Sequence, residues 1–227
     1  VLYRTNAQSR ALEELFMRWG TPYRLIGGVR FYERKEIKDL LGYLRLVHNP
    51  NDETAFNRVV NVPKRGIGKT TVDRVLEAAR KAGKSSLGLL SDPTSVIEGL
   101  TAKTAGKLVQ FARFILGLHH EAASLSVPDL VKRVADESGY SEALLAEGTE
   151  EAMGRLENVA ELVNVAGDFV VNSDDKTLGA FLTHLMLLSD VDQLDADADR
   201  VTLLTLHAAK GLEFPLVFLV GLEEAVF

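Results

Sequence analysis

The stretch Val201 to Leu219 reads VTLLTLHAAKGLEFPLVFL. Its first part, Val201 to Leu206, is an apolar run with β-branched residues, the composition of a strand buried on both faces. A turn carrying Thr205, His207, Lys210, Gly211 and Glu213 follows, and a second buried strand is expected over Leu216 to Val220. Polar side chains at the carboxyl end of a parallel strand sit where α/β folds bind ligands. In that place a carboxylate such as Glu213 suits a ribose hydroxyl, while Thr205 and His207 suit phosphate oxygens. The competing reading is a satisfied core histidine beside a solvated Lys/Glu turn, and a single motif needs context before it outweighs that.

The other end of the chain supplies the context. Val1 to Arg10, VLYRTNAQSR, is a short strand, VLYR, whose polar carboxyl end, Arg4-Thr5-Asn6, leads into a helix expected over Ser9 to Trp19. Gly20 and Pro22 stop that helix. The two strings resemble motifs V and IV of superfamily 1 DNA helicases of the UvrD/PcrA/Rep group, in that group's order and bracketing a helical segment. The resemblance implies that Arg4, Asn6, Thr205 and His207 face single-stranded DNA, a guanidinium suiting phosphate and an amide suiting backbone or base edges. It also implies that Lys210, Gly211 and Glu213 belong to an ATP site.

Composition bounds the alternatives. The 227 residues are 46% hydrophobic, enough for one large domain or two small ones. Cysteine is absent, which excludes a disulfide framework and a cysteine-based zinc site. Apolar runs such as PLVFLVGL are too short to cross a bilayer and no signal-peptide pattern opens the chain, so a cytoplasmic protein without a membrane partner is expected. Starting at Val1 and stopping within an apolar segment at Phe227, the chain is expected to be a piece of a longer polypeptide. The net charge of −6 hides an asymmetry: residues 1–84 hold 17 Lys/Arg against 9 Asp/Glu, and residues 136–200 hold 3 against 16. Such polarity lets one surface attract phosphate while another repels it, although solvated charged faces of an ordinary acidic protein give similar totals.

Along the chain, residues 1–28 read strand, helix, strand (Tyr23 to Ile26), then a flexible Gly27-Gly28 joint. From Glu33 the periodicity is helical. The helix Lys35 to His48 places Ile37, Leu40, Leu41, Leu44 and Val47 on one face and ends at Asn49-Pro50. Further helices are expected near Glu53 to Val62, Thr71 to Ala82, Thr101 to Ser124, Pro128 to Ser138, Glu150 to Phe169 and Thr177 to Leu188. Asp190 to Arg200 reads as an acidic, solvated linker without the glycine and terminal Glu of an EF-hand. The expected fold is therefore mainly α, a helical block at 29–198 inserted between two parts, 1–28 and 199–227, of an incomplete α/β domain. In the helicase group this corresponds to a 2B-type subdomain interrupting a RecA-like 2A domain.

Within the block, Asn61 to Thr71, NVPKRGIGKTT, carries the clearest chemistry. A nucleotide P-loop is the tempting reading of Gly68-Lys69-Thr70, but Pro63 stands where the first glycine belongs and no strand precedes it. Helix, turn and helix instead resemble a helix-hairpin-helix element for duplex or junction DNA. Gly66 and Gly68 let backbone amides approach phosphate, Ile67 anchors the turn, and Lys64, Arg65, Lys69 and Thr70 surround it. A tight helical hairpin with a solvated basic rim is the structural alternative. His119-His120 lack partners at i+4 and read as surface histidines, His184 as partly buried, and Phe31, Tyr32 and Tyr43 as core residues before base-stacking ones.

The resemblance implies a fragment of an ATP-dependent, 3′-to-5′ DNA helicase, in a cytoplasmic, nucleoid-associated setting with repair or replication proteins as partners of the helical block. ATP and Mg²⁺ are its implied cofactors. The Walker lysine, the Mg²⁺-binding acids and the arginine fingers that such chemistry needs are not in these residues, so the fragment is expected to bind DNA without hydrolysing ATP. A non-enzymatic DNA-junction or docking module, and the motor part of a helicase-nuclease subunit, remain alternatives.

Overall fold

The computed structural model describes residues 1–190 and 200–222, so the expected linker at Asp190 to Arg200 lies almost wholly outside the described residues. The protein is mainly helical, with a small three-stranded parallel sheet. The sheet is made from the two ends of the chain. Strand β1 (Leu2–Tyr3) passes through a 3-10 turn, Asn6–Gln8, into α1 (Ser9–Arg18), and β2 (Tyr23–Ile26) follows. Strand β3 (Val201–Thr205) enters between them, giving the order β1-β3-β2. Its register is Leu2↔Leu204 and Tyr3↔Thr205 on one edge and Tyr23↔Val201 to Ile26↔Leu204 on the other. Both edges of β3 are hydrogen-bonded, and Leu203 and Leu204, successive residues on opposite faces of the strand, are buried together with Tyr3 of β1.

The second strand expected over Leu216 to Val220 is a correction. Leu216, Val217, Phe218 and Leu219 are all exposed. The segment meets the sheet through a Leu2↔Leu219 bridge, with Leu2 N donating to Phe218 O at 2.8 Å and Val220 N to Leu2 O at 3.0 Å. A place on the edge supplies backbone partners, but none of the described residues forms a layer that covers its side chains.

Between β2 and β3 the chain forms α2 (Lys35–His48), α3 (Glu53–Val59), α4 (Lys69–Ala82), α5 (Ser86–Ser91), α6 (Ala102–Glu121), α7 (Val127–Glu137), α8 (Tyr140–Glu147), α9 (Glu150–Asn172) and α10 (Leu178–Asp190). Asp52, Ser85, Thr101, Ser126 and Thr149 cap their helices by accepting from the amide three residues on, which fixes where each begins. Helix α2 is the axis of this body, packing against α3, α6, α7, α9 and α10. Its Ile37, Leu40, Tyr43, Leu44 and Val47 are fully buried, each stabilising by roughly 1.5–3 kcal/mol. Phe31 and Tyr32 join the same core, as their spacing suggests.

Where the helical body meets α1 the contact is a polar seam. Arg34, nearly buried, donates from Nη2 to Ser9 Oγ (2.8 Å), from Nη1 to Asn158 Oδ1 (2.8 Å) and from Nε to Val29 O (3.0 Å), and lies 3.6 Å from Glu13. Asn158 donates onward to Glu36 at 2.6 Å. Burial lowers the Arg34 pKa from its ordinary value, against the pull of Glu13 and Glu36. Beside it, Arg10 of α1 pairs with Glu14 at 2.9 Å and with Glu161 of α9.

Candidate nucleic-acid interface

Because Tyr3 pairs with Thr205, the carboxyl ends of β1 and β3 emerge side by side. That register brings Arg4, Thr5 and Asn6 from one end of the sequence to Thr205 and His207 from the other, along one rim of a cleft of about 870 Å³. Gln8, which sequence reading passed over, shapes the first group: its Oε1 accepts from Arg4 N at 2.9 Å and Thr5 N at 3.1 Å. The second group is wound by Thr205, whose Oγ1 accepts from Ala208 N at 3.2 Å and whose carbonyl accepts from Ala209 N at 3.0 Å, leaving His207 exposed. Among the described residues no carboxylate pairs with Arg4, Lys35 or His207. The facing wall is the start of α9, with Glu150, Met153, Gly154 and Glu157. Arg155 there is already committed to Glu147 (3.3 Å) and Glu151 (3.2 Å), and its Nε is buried without an acceptor.

Lys210, Gly211 and Glu213 are exposed and do not line this cleft. Gly211 has φ +84°, a conformation that closes the turn and that a side chain would strain. One turn after β3 thus carries two groups, His207 in the cleft and Glu213 outside it.

The α3–α4 hairpin is organised from within. Asn61 Oδ1 accepts from Arg65 N (2.8 Å) and Ile67 N (3.1 Å), and Ile67 is 1% exposed, so it plugs the turn into the core. Gly66 has φ +72°, whereas Gly68 is an extended N-cap of α4 with φ −77° and no side-chain cap. The amides of Gly66, Gly68, Lys69 and Thr70 meet no acceptor among the described residues, and all four residues are exposed. Lys64 is exposed beside them. Lys107 of α6 reaches in to donate to Arg65 O at 2.5 Å, adding an ammonium that no local pattern announced. A helix, not a strand, enters this loop, which removes the P-loop reading.

Arg65 is placed differently from the expectation that its charge faces DNA. Nη2 donates to Tyr43 Oη (2.7 Å) and Ser138 O (2.9 Å), Nη1 lies against the carbonyls of Val62 (3.0 Å) and Val59 (3.2 Å), and the guanidinium stacks 5.2 Å from the Phe111 ring. Burial pushes the Tyr43 hydroxyl up to about 12 despite that guanidinium, so it stays a proton donor to the hairpin. The guanidinium holds the loop's carbonyls together; Lys64 and Lys69 are left exposed, and Lys107 brings its charge to the loop through the Arg65 carbonyl.

The family described as the UvrD-like helicase C-terminal domain matches residues 1–227. The chain is 48% identical over 233 residues to the ATP-dependent DNA helicase PcrA of Bacillus subtilis (strain 168), covering 100% of this chain and 31% of that protein. It is 44% identical over 229 residues to the protein of the same name from Staphylococcus aureus (strain Mu50 / ATCC 700699) and 43% identical to that of Staphylococcus epidermidis, again covering 100% of this chain and 31% of each relative. The chain therefore spans about a third of the length of the curated relatives it matches. With a match along its whole length and these identities, the chain belongs to the UvrD-like helicase C-terminal domain family.

Proposed function

We propose that this chain is the DNA-gripping portion of an ATP-dependent DNA helicase. In this reading residues 1–28 and 199–227 form one RecA-like 2A-type unit, and residues 29–198 a 2B-type helical subdomain inserted into it. The observation that carries the reading is the convergence of Arg4, Asn6, Thr205 and His207 on one cleft rim from opposite ends of the chain. A guanidinium, an amide, a hydroxyl and an imidazole together grip sugar-phosphate backbone without reading sequence, as a translocating enzyme requires. The hairpin offers duplex or junction DNA four amides without a protein acceptor among the described residues, the exposed ammonium groups of Lys64 and Lys69, and the nearby charge of Lys107. The names of the relatives, ATP-dependent DNA helicases, support the nucleotide half of the reading.

ATP with Mg²⁺ supplies the free energy for movement when bound against a second α/β domain. On this chain Glu213, exposed beside Lys210 and Gly211, would accept from a ribose hydroxyl of that nucleotide. Since His207 and Glu213 share one turn, a small displacement of that turn changes the grip on the strand. Repair or replication proteins are the proposed partners of the helical subdomain, in a cytoplasmic, nucleoid-associated setting. The test is strand displacement by the full-length polypeptide with ATP and Mg²⁺. Displacement from a duplex with a 3′ tail and not from one with a 5′ tail is expected. Tight junction binding with no displacement from either would instead identify a non-enzymatic DNA-binding module.

A further inference from the structure

The amides of the loop between α3 and α4 alternate in direction. Arg65 N and Ile67 N both turn inward to Asn61 Oδ1, at 2.8 and 3.1 Å, while the amide between them, Gly66 N, meets no acceptor among the described residues. What sets Gly66 apart is the carbonyl before it. Arg65 O accepts from Lys107 Nζ of α6 at 2.5 Å, across 42 positions of the chain. The Arg65–Gly66 peptide is planar and trans, so its C=O and its N–H point in opposite directions. A carbonyl drawn toward α6 therefore puts the Gly66 amide on the side away from α6. Without that bond the peptide has a second orientation open to it. A flip exchanges the positive φ of Gly66, +72°, for a negative one, which a residue without a Cβ adopts about as readily.

We infer that Lys107 is a positioning residue of the duplex hairpin: by holding the Arg65 carbonyl toward α6 it keeps the Gly66 amide aimed at a DNA phosphate. The inference rests on the reading of the hairpin as a duplex grip. In the flipped orientation the Arg65 carbonyl takes the place of the amide, and an acceptor repels a phosphate oxygen. An ammonium suits the task of preventing this, because a charged donor bonds a carbonyl roughly twice as strongly as a neutral one. Nothing competes for it among the described residues. Lys107 makes no ion pair there, and Glu137, which lines the same groove, is held by Arg133 at 2.6 Å. The rest of the loop is fastened by other means, the Arg65 guanidinium on Tyr43 and Ser138 and Ile67 in the core. Lys107 thus sets one peptide group and not the fold of the hairpin.

The test uses the full-length polypeptide without nucleotide and a fluorescent blunt-ended duplex, titrated at several salt concentrations. On a log–log plot an ammonium in direct contact with phosphate adds about 0.9 to the slope, whereas an uncharged amide contact shows in the affinity extrapolated to about 1 M salt. Lys64→Met, which removes an exposed ammonium, is expected to make the slope shallower and to leave the extrapolated affinity within about twofold. Lys107→Met is expected to lower the extrapolated affinity about tenfold with the urea unfolding midpoint in place, and Lys107→Arg, which keeps a charged donor, to restore most of it. Lys107→Ala repeats the measurement should methionine disturb the midpoint. If Lys107→Met changes the slope alone, as Lys64→Met does, Lys107 is only one more phosphate contact and the inference falls. It falls also if Lys107→Met binds as the wild type does while Gly66→Ala has lost binding. If Gly66→Ala itself binds normally, the hairpin reading falls and takes the inference with it.

Discussion

Arg65 and Lys64 are adjacent and carry the same charge, yet their surroundings give them different tasks. Arg65 is spent on Tyr43, Ser138 and the loop carbonyls, while Lys64 is exposed and has no side-chain partner among the described residues. Arg65→Ala should therefore destabilise the fold by roughly 2–4 kcal/mol in urea unfolding, because it strands several carbonyls and opens a gap beside Phe111. Lys64→Ala should leave the unfolding midpoint in place and weaken duplex binding; equal losses of stability in the two variants would contradict the assignment. On the β3 turn, Glu213→Ala in the full-length protein should raise the KM for ATP by about 10- to 100-fold, the loss of one hydrogen bond to a charged group, with nucleotide-free strand binding intact. His207→Ala should show the reverse pattern, and identical effects on ATP would remove the division between the two sides of the turn.

The hairpin acts as a unit, so its prediction concerns the loop as a whole. Two to four neutralised phosphates at roughly −0.9 each imply a log–log salt slope for duplex binding of about −2 to −4. Gly66→Ala should abolish that binding with no change in charge, since its backbone is at φ +72° and an added Cβ would stand 3.2 Å from Lys107 Nζ. Gly68→Ala, at an ordinary φ with open space around it, should act more weakly. Duplex titrations over several salt concentrations distinguish these outcomes, and a Gly66→Ala protein that is folded and binds normally would reduce the loop to scaffold. The hairpin's position and plug were readable beforehand because Pro63, Gly66 and Gly68 mark a turn and Ile67 is the apolar residue within it. Helix α2 was read to its observed ends because its periodicity is long and Asn49-Pro50 ends it. Helices α5 and α8 are too short to show a period and were missed. The inward turn of Arg65 and the arrival of Lys107 depend on α6 and α7 packing nearby, which local pattern does not encode. Leu216 to Val220 failed for a related reason: apolar composition shows what favours burial, not what is present to cover it.

At the scale of the whole molecule, the sheet and the helical body are joined by charge and hydrogen bonds through Arg34, Glu13, Ser9 and Asn158. Arg34→Met should cost about 3–5 kcal/mol of stability, since it removes the buried guanidinium that bonds Ser9, Asn158 and the Val29 carbonyl and lies 3.6 Å from Glu13, and Arg34→Met/Glu13→Gln should recover part of that loss. Additive losses in unfolding experiments would show that the two residues are not coupled. The convergence of the cleft residues was the part of the site furthest from sequence reading. Arg4 and His207 could be nominated separately, but their meeting depends on the Tyr3↔Thr205 register. That same register carries a consequence for biosynthesis. Val1 N is bonded to Thr202 O across 201 positions of the chain, and β1 and β2 are never neighbours, so the first strands have no sheet partner until β3 is made. At roughly 5–20 residues per second, a ribosome leaves them waiting about 10–40 s while the helices behind them emerge and pack. During that interval Leu2, Tyr3 and the strand Tyr23 to Ile26 are unpaired edges of a nascent chain, an exposed target for trigger-type chaperones and for misassociation between neighbouring ribosomes.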